Sequence, residues 1–174
     1  LDEQSSLVGA GNIAANAIGD ELSRIQVAAR YLAINPDVVS ALQRRAPGAV
    51  QDNLLEPFRV SSALTFVSLI SNAPRLQIAQ AKLLTPAQVP FITVVSEAFR
   101  LQQDRAGIWD GPTRPAYAPV PQVPYAVAAS PVLVNNVVIG AVVVGHILDN
   151  TFVSARLTNN LGSYQAAIVN NVSV

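Results

Sequence analysis

Two apolar, β-branched runs, Tyr125 to Val134 and Val137 to Leu148, stand on either side of Asn135-Asn136. Asparagine tolerates the positive φ of a two-residue hairpin turn, so this stretch predicts two long antiparallel strands. The second run stops at Asp149, placed as an N-cap, and Phe152, Leu157 and Leu161 continue as the apolar stripe of a helix. At the other end of the chain Val8, Gly11, Ala15, Ile18, Leu22, Ile25, Ala29 and Leu32 are spaced alternately by three and four. That spacing predicts a long helix reaching about Ile34. Its stripe either packs on its own domain or, in its first half, pairs with a second copy of the chain.

Asn35-Pro36-Asp37 ends this helix and opens a short one, with Asn35 as N-cap and Pro36 at the first helical position. A third helical piece is predicted from Ala49 to about Ser62, kinked at Pro57. From Leu64 the period changes. Leu64 to Ile70 and Leu76 to Ala81 read as strands around the turn residues Ser71-Asn72-Ala73-Pro74. Thr85-Pro86-Ala87-Gln88 reads as a capping box for an amphipathic helix running through Phe91 and Phe99 to Gln103 or Asp104. Ala106 to Trp109 is a short strand, and Asp110 to Pro124, with Pro112, Pro115, Pro119, Pro121 and Pro124, is a long stiffened loop of the functional kind. Ser163 to Val174 suits a last strand. The order is long helix, short helices, β-β-α-β-loop-β-β-α-β.

Composition narrows the chemistry. The 174 residues are 51% hydrophobic and 13% charged, enough apolar material for a substantial core. Eleven basic and eleven acidic residues cancel and the basic ones are scattered, which argues against nucleic acid as a partner. There is no cysteine and a single histidine, His146, so thiolate chemistry is excluded and a histidine metal centre nearly so. Asp104, Asp110 and Asp149 lie near strand ends, but none pairs with a second carboxylate at a useful spacing. The sequence predicts no catalytic residue, no metal site and no cofactor. No apolar run reaches the roughly 18 to 20 residues of a membrane span. The chain starts at Leu1 and lacks methionine, and is read as a fragment of a longer protein whose flanking segments supply any membrane contact.

The run PYAVAASPVLVNNVVIGAVVVGHILDNTFVSARLTNNLGSYQAAIV resembles the end of extracytoplasmic Cache or CHASE4-like sensor domains. There a strand closing on Ser-Pro-Val leads through a turn to Ile-Gly-Ala-Val-Val-Val-Gly, then Leu-Asp, an aromatic-bearing helix and a glycine. Arg105 to Gly111 and Ala73 to Ala79 sit where such domains carry their middle strand and an Asp-Gly-Arg strand. Two antiparallel hairpins separated by a helix and a loop make an α+β fold, a PAS-like central antiparallel sheet with helices grouped on one face, and the resemblance implies the same fold with a long N-terminal helix ahead of it. Residues 1–62 form the helical part and 63–174 the sensor core, together one structural domain. It also implies a ligand-sensing module of a membrane-bound histidine kinase, nucleotide cyclase or chemoreceptor, outside the cytoplasm, with a homodimer through the N-terminal helix. Its ligand, a small organic molecule, sits between the sheet and the Pro-rich loop. A structural or adhesive surface domain is the competing reading.

Strand alternation places Tyr125, Val127 and Ala129 on one face, and the family's orientation adds Ala141 and Val143 to the same wall. Trp109 lies beside the loop, which Tyr117 and Tyr125 bracket, and Arg75 stands where carboxylate-binding relatives carry arginine. Citrate- and dicarboxylate-sensing relatives have an arginine four residues before the strand-ending proline, where this chain has Val127. That apolar wall favours an uncharged or apolar ligand, or none, over a carboxylate.

Overall fold

The computed structural model describes residues 2–82, 88–112, 123–152 and 154–155. They fall into two compact units, Leu22–Ile147 and Leu1–Glu21 with Leu148–Val174. Helix α1 spans Asp2–Ala33. In the smaller unit Asp149 caps the helical turn that follows it, its Oδ1 accepting from the Phe152 N–H at 3.0 Å. The closing strand predicted at 163–174 lies outside the described residues.

The larger unit is built on a five-stranded antiparallel sheet of order β2-β1-β5-β4-β3. Its strands are β1 (Phe66–Ser71), β2 (Gln77–Ala81), β3 (Arg105–Trp109), β4 (Tyr125–Val134) and β5 (Val137–Ile147). The central hairpin forms where the residue pattern puts it. Asn135 and Asn136 both adopt positive φ, 51° and 63°, as the tight turn requires. Asn136→Ala removes the side chain that tolerates this region and is expected to cost about 1 kcal/mol, read by urea denaturation. The first hairpin turns through a cis Ala73-Pro74 bond, and Ser71 Oγ donates to the Pro74 carbonyl at 2.8 Å.

Helix α2 (Pro36–Arg44) starts as its sequence dictates: Asn35 Oδ1 accepts from the Asp37 N–H at 2.8 Å. The piece predicted as one kinked helix is instead a short α3 (Gly48–Val50), a π-helical segment Gln51–Leu55 and α4 (Glu56–Ser61). Pro57 explains the departure. It has no N–H for the Asn53 carbonyl, and the chain widens upstream, with Glu56 N–H reaching back to the Gln51 carbonyl. In α4, Arg59 donates to both Glu56 oxygens at 2.9 and 2.6 Å, which holds that carboxyl below its usual range. Helix α5 (Thr93–Leu101) begins later than predicted because a 3-10 turn, Val89–Phe91, holds Pro90 and Ile92 is extended. Thr85, Pro86 and Ala87 of the predicted capping box lie outside the described residues.

The expectation that the helices group on one face is corrected. Helix α5 lies over one face: a Cβ on Gly107 would come within 3.0 Å of Val94. Gly140 points the opposite way, and a Cβ there would meet Leu42 of α2 at 2.8 Å. On the α2 face Ser130 of β4 donates to Asp104, which also accepts from Arg30 of α1. The physical reason is burial. The first eight residues of β4 and Gly140–Gly145 of β5 are all buried, so neither face can be left to water. Ile25, Ala29 and Leu32 of α1 and Val38 of α2 are fully buried for the same reason. No described helix is long and apolar enough to cross a membrane.

Candidate functional site

The register assigns the predicted residues to rows across the α5 face. One row runs Trp109–Tyr125–Ile147, the next Gly107–Val127–Gly145–Phe66 and a third Arg105–Ala129–Val143–Ser68–Gln80. Ala141 stands between Pro131 and Ile70 in the fourth. Tyr125, Val127, Ala129, Ala141 and Val143 therefore share one face. All five are buried in the cluster that Val94, Val95, Ala98 and Phe99 of α5 complete. His146 pairs with Ala126 on the opposite face and is half-buried.

Gly107 and Gly145 leave space in their row, and an aromatic group fills one end of it. The Phe66 ring lies over Gly145, where a Cβ would be 2.2 Å from its Cε1. Phe66 meets Trp109 edge-on, with centroids 6.4 Å apart, and Tyr125 at 6.1 Å. Trp109 and Tyr125 are 5.3 Å apart. The Pro-rich loop is pinched at its base beside this group. Gly111 has φ +89°, and a Cβ on it would sit 2.6 Å from the Val123 carbonyl and 3.4 Å from the Tyr125 ring. Tyr117 and the rest of residues 113–122 lie outside the described residues.

At the β2 end the same face is polar. Ser68, fully buried, donates to Gln77 Oε1 at 2.9 Å, and Gln77 Nε2 donates to Gln80 Oε1 at 2.5 Å. The Gln80 N–H donates to Gln51 Oε1 of the π-helical segment at 3.2 Å, which covers part of the sheet edge. Arg75 stacks 4.5 Å above the Phe99 ring and donates to Ser96 Oγ at 3.3 Å, which ties the β1–β2 turn to α5. It is half-buried and engaged. Sequence reasoning missed Ser68, Gln77 and Gln80. The signal was a lone serine inside an apolar strand, and a bulge at β2 that brings Gln77 and Gln80 to one face.

Two clefts open elsewhere on the larger unit. One, about 500 Å³, lies among the end of α1, the α5–β3 turn and Pro131 and Leu133 of β4. The other, about 400 Å³, lies between α2 and the α3–π segment. No predicted site residue lines either cleft. Among the described residues no group of His, Asp or Glu is placed to hold a metal ion.

No protein-family model and no curated protein matches this sequence. Solved structures do. The sensor domain of the Vibrio cholerae histidine kinase DctB is similar with a TM-score of 0.62 and 18% identity, over 91% of this chain and 59% of that one. This chain thus spans less than two thirds of the DctB domain. The Escherichia coli DcuS sensor domain matches with a TM-score of 0.57 and 20% identity, over 81% of this chain and 98% of that one. The periplasmic domain of V. cholerae LuxQ matches with a TM-score of 0.57 and 15% identity, over 87% and 69%. With its 2-1-5-4-3 antiparallel sheet and long leading helix, the chain has the fold of these sensor domains.

Proposed function

We propose that this chain is the extracytoplasmic sensing domain of a membrane-bound signal-transduction receptor. It binds a small molecule between the α5 face of the sheet and the Pro-rich loop. The observation that carries the reading is the aromatic group Phe66, Trp109 and Tyr125 at the base of that loop, on the face that Val127, Ala129, Ala141 and Val143 complete. Tyr125 supplies the one hydroxyl among those residues, and the rest of the wall is apolar, so the ligand is largely apolar or uncharged. Arg75 is engaged by Phe99 and Ser96 at the far end, which argues against its use as a free carboxylate anchor. The domain itself carries no catalysis; output belongs to other parts of the receptor.

A homodimer through α1 is part of the proposal. The pairing expected from the sequence lies in the first half of the helix; toward its C-terminal end Val27 is 66% exposed, and Tyr31, 58% exposed, is stacked on Phe58.

Trp109 is the sole tryptophan, so its fluorescence reports the proposed site directly. In a screen of carboxylates, amino acids and uncharged metabolites, a ligand at 100 times its Kd is expected to add about 2.7 kcal/mol. For a domain of this size that is about 5 to 10 °C in Tm. The Trp109 emission changes with it, and Tyr125→Phe weakens binding. A ligand that leaves both Trp109 and the Tyr125→Phe variant indifferent would remove the site from this face. A full-length chain with tandem copies and no signalling domain would favour adhesion instead.

A further inference from the structure

The cleft of about 400 Å³ has a charge pattern that the sensing face lacks. One wall is a single face of α2: Asp37 in the first turn, Ser40 and Ala41 in the middle, Arg44 in the last. The opposite wall is Ala49, Val50, Asn53 and Leu54, one face of the α3–π segment. Val50 and Ala41 are buried and give the cleft an apolar floor.

Asp37 and Arg44 are seven residues apart, two helical turns, so they sit on the same side of α2 about 10 Å apart along its axis. That is too far for them to pair with each other. Neither makes an ion pair among the described residues, and neither side chain is in a hydrogen bond there. Between them lie only a hydroxyl and an amide, Ser40 and Asn53. The far wall is backbone of an unusual kind. A π-helical segment is rare and frequent at functional sites, and here Pro57 denies the Asn53 carbonyl its α-helical donor.

We propose that this cleft binds a short zwitterionic peptide of two or three residues, its ammonium at Asp37 and its carboxylate at Arg44. An extended chain gains about 3.3 to 3.6 Å per residue, so three residues match the roughly 10 Å between the two positions along the helix. A free amino acid carries its charges on one carbon and cannot reach both. The Ser40 hydroxyl and Asn53 amide face the peptide groups, and small side chains fill the apolar floor. Asp37 and Arg44 also suit the ends of the α2 dipole, so their effect on stability says nothing about binding. The peptide's own termini are the decisive handle.

The test is isothermal titration calorimetry of the whole chain with trialanine, N-acetyl-trialanine and trialanine amide. Trialanine binds, and blocking either terminus weakens binding about tenfold or more, the size of a lost charged hydrogen bond. Asp37→Asn erases the difference between free and acetylated peptide, and Arg44→Gln that between free and amidated peptide. No binding of trialanine at millimolar concentration overturns the proposal, and so does binding indifferent to both blocked termini. The blocked peptides decide on the unsubstituted chain even where a variant fails to fold. Failure here leaves the sensing face standing, because none of its residues lines this cleft.

Discussion

Phe66→Ala is expected to destabilise the chain by about 3 to 5 kcal/mol, the cost of emptying a fully buried aromatic site. The ring is 2% exposed, lies over Gly145 and is in contact with Trp109 and Tyr125 at once. Chemical denaturation measures the loss, and Trp109 emission shifts in the folded state because its edge-on partner is gone. Gly145→Ala attacks the same contact from the sheet side. A Cβ 2.2 Å from Phe66 Cε1 cannot be accommodated unless the ring moves, at about 1 to 3 kcal/mol. The ring and the added methyl compete for one space, so the double variant is expected to cost less than the sum of the two. Additive losses would show that the ring does not rest on Gly145.

Gly140→Val is expected to be nearly as damaging, and for a harder reason. A Cβ there would lie 2.4 Å from the Ile70 carbonyl oxygen, which is backbone of the neighbouring strand, and 2.8 Å from Leu42 of α2. A side chain can rotate away, but a paired strand cannot. The expected loss is about 3 kcal/mol or more, because either the β1–β5 ladder opens or α2 lifts off the sheet. Gly140→Ala is milder in volume but meets the same carbonyl. A variant that melts like the parent would mean that α2 does not seat on this face.

These residues show where local reading stops. The β4–β5 hairpin was legible because its two runs and its Asn-Asn turn are neighbours in sequence, and each demands the other. The α2 cap was legible for the same reason, since Asn35, Pro36 and Asp37 act within one turn. The helix after Leu84 was misplaced at its start, as Pro90 and the extended Ile92 postpone it to Thr93. The π-helical segment was read only as a kink at Pro57, because its widening is a response upstream of the proline that caused it.

The arrangement of helices about the sheet was in part legible and went unread. β4 and β5 are apolar almost throughout, and a continuous apolar strand signals cover on both faces. The order of hairpins, helix and loop pointed instead to helices on one face. Tyr125, Val127 and Ala129 were correctly assigned to a common face because period-two alternation is a property of the strand alone. That Arg75 would stack on Phe99 was not, since the β1–β2 turn and α5 are brought together only by the fold.

By itself the sequence determined the order of the five described strands, the central hairpin with its Asn-Asn turn, and which residues of β4 and β5 share a side. Those depend on contacts between near neighbours and on fixed backbone periods. Only the tertiary structure decided which helix covers which face of the sheet, that Phe66 fills the space above Gly145, and that a serine and two glutamines join across β1 and β2. It also set Asp37 and Arg44 along a cleft opposite the π-helical segment. Each of these is a meeting of residues distant in the chain or of separate elements, and the burial that drives it is a property of the whole packed core.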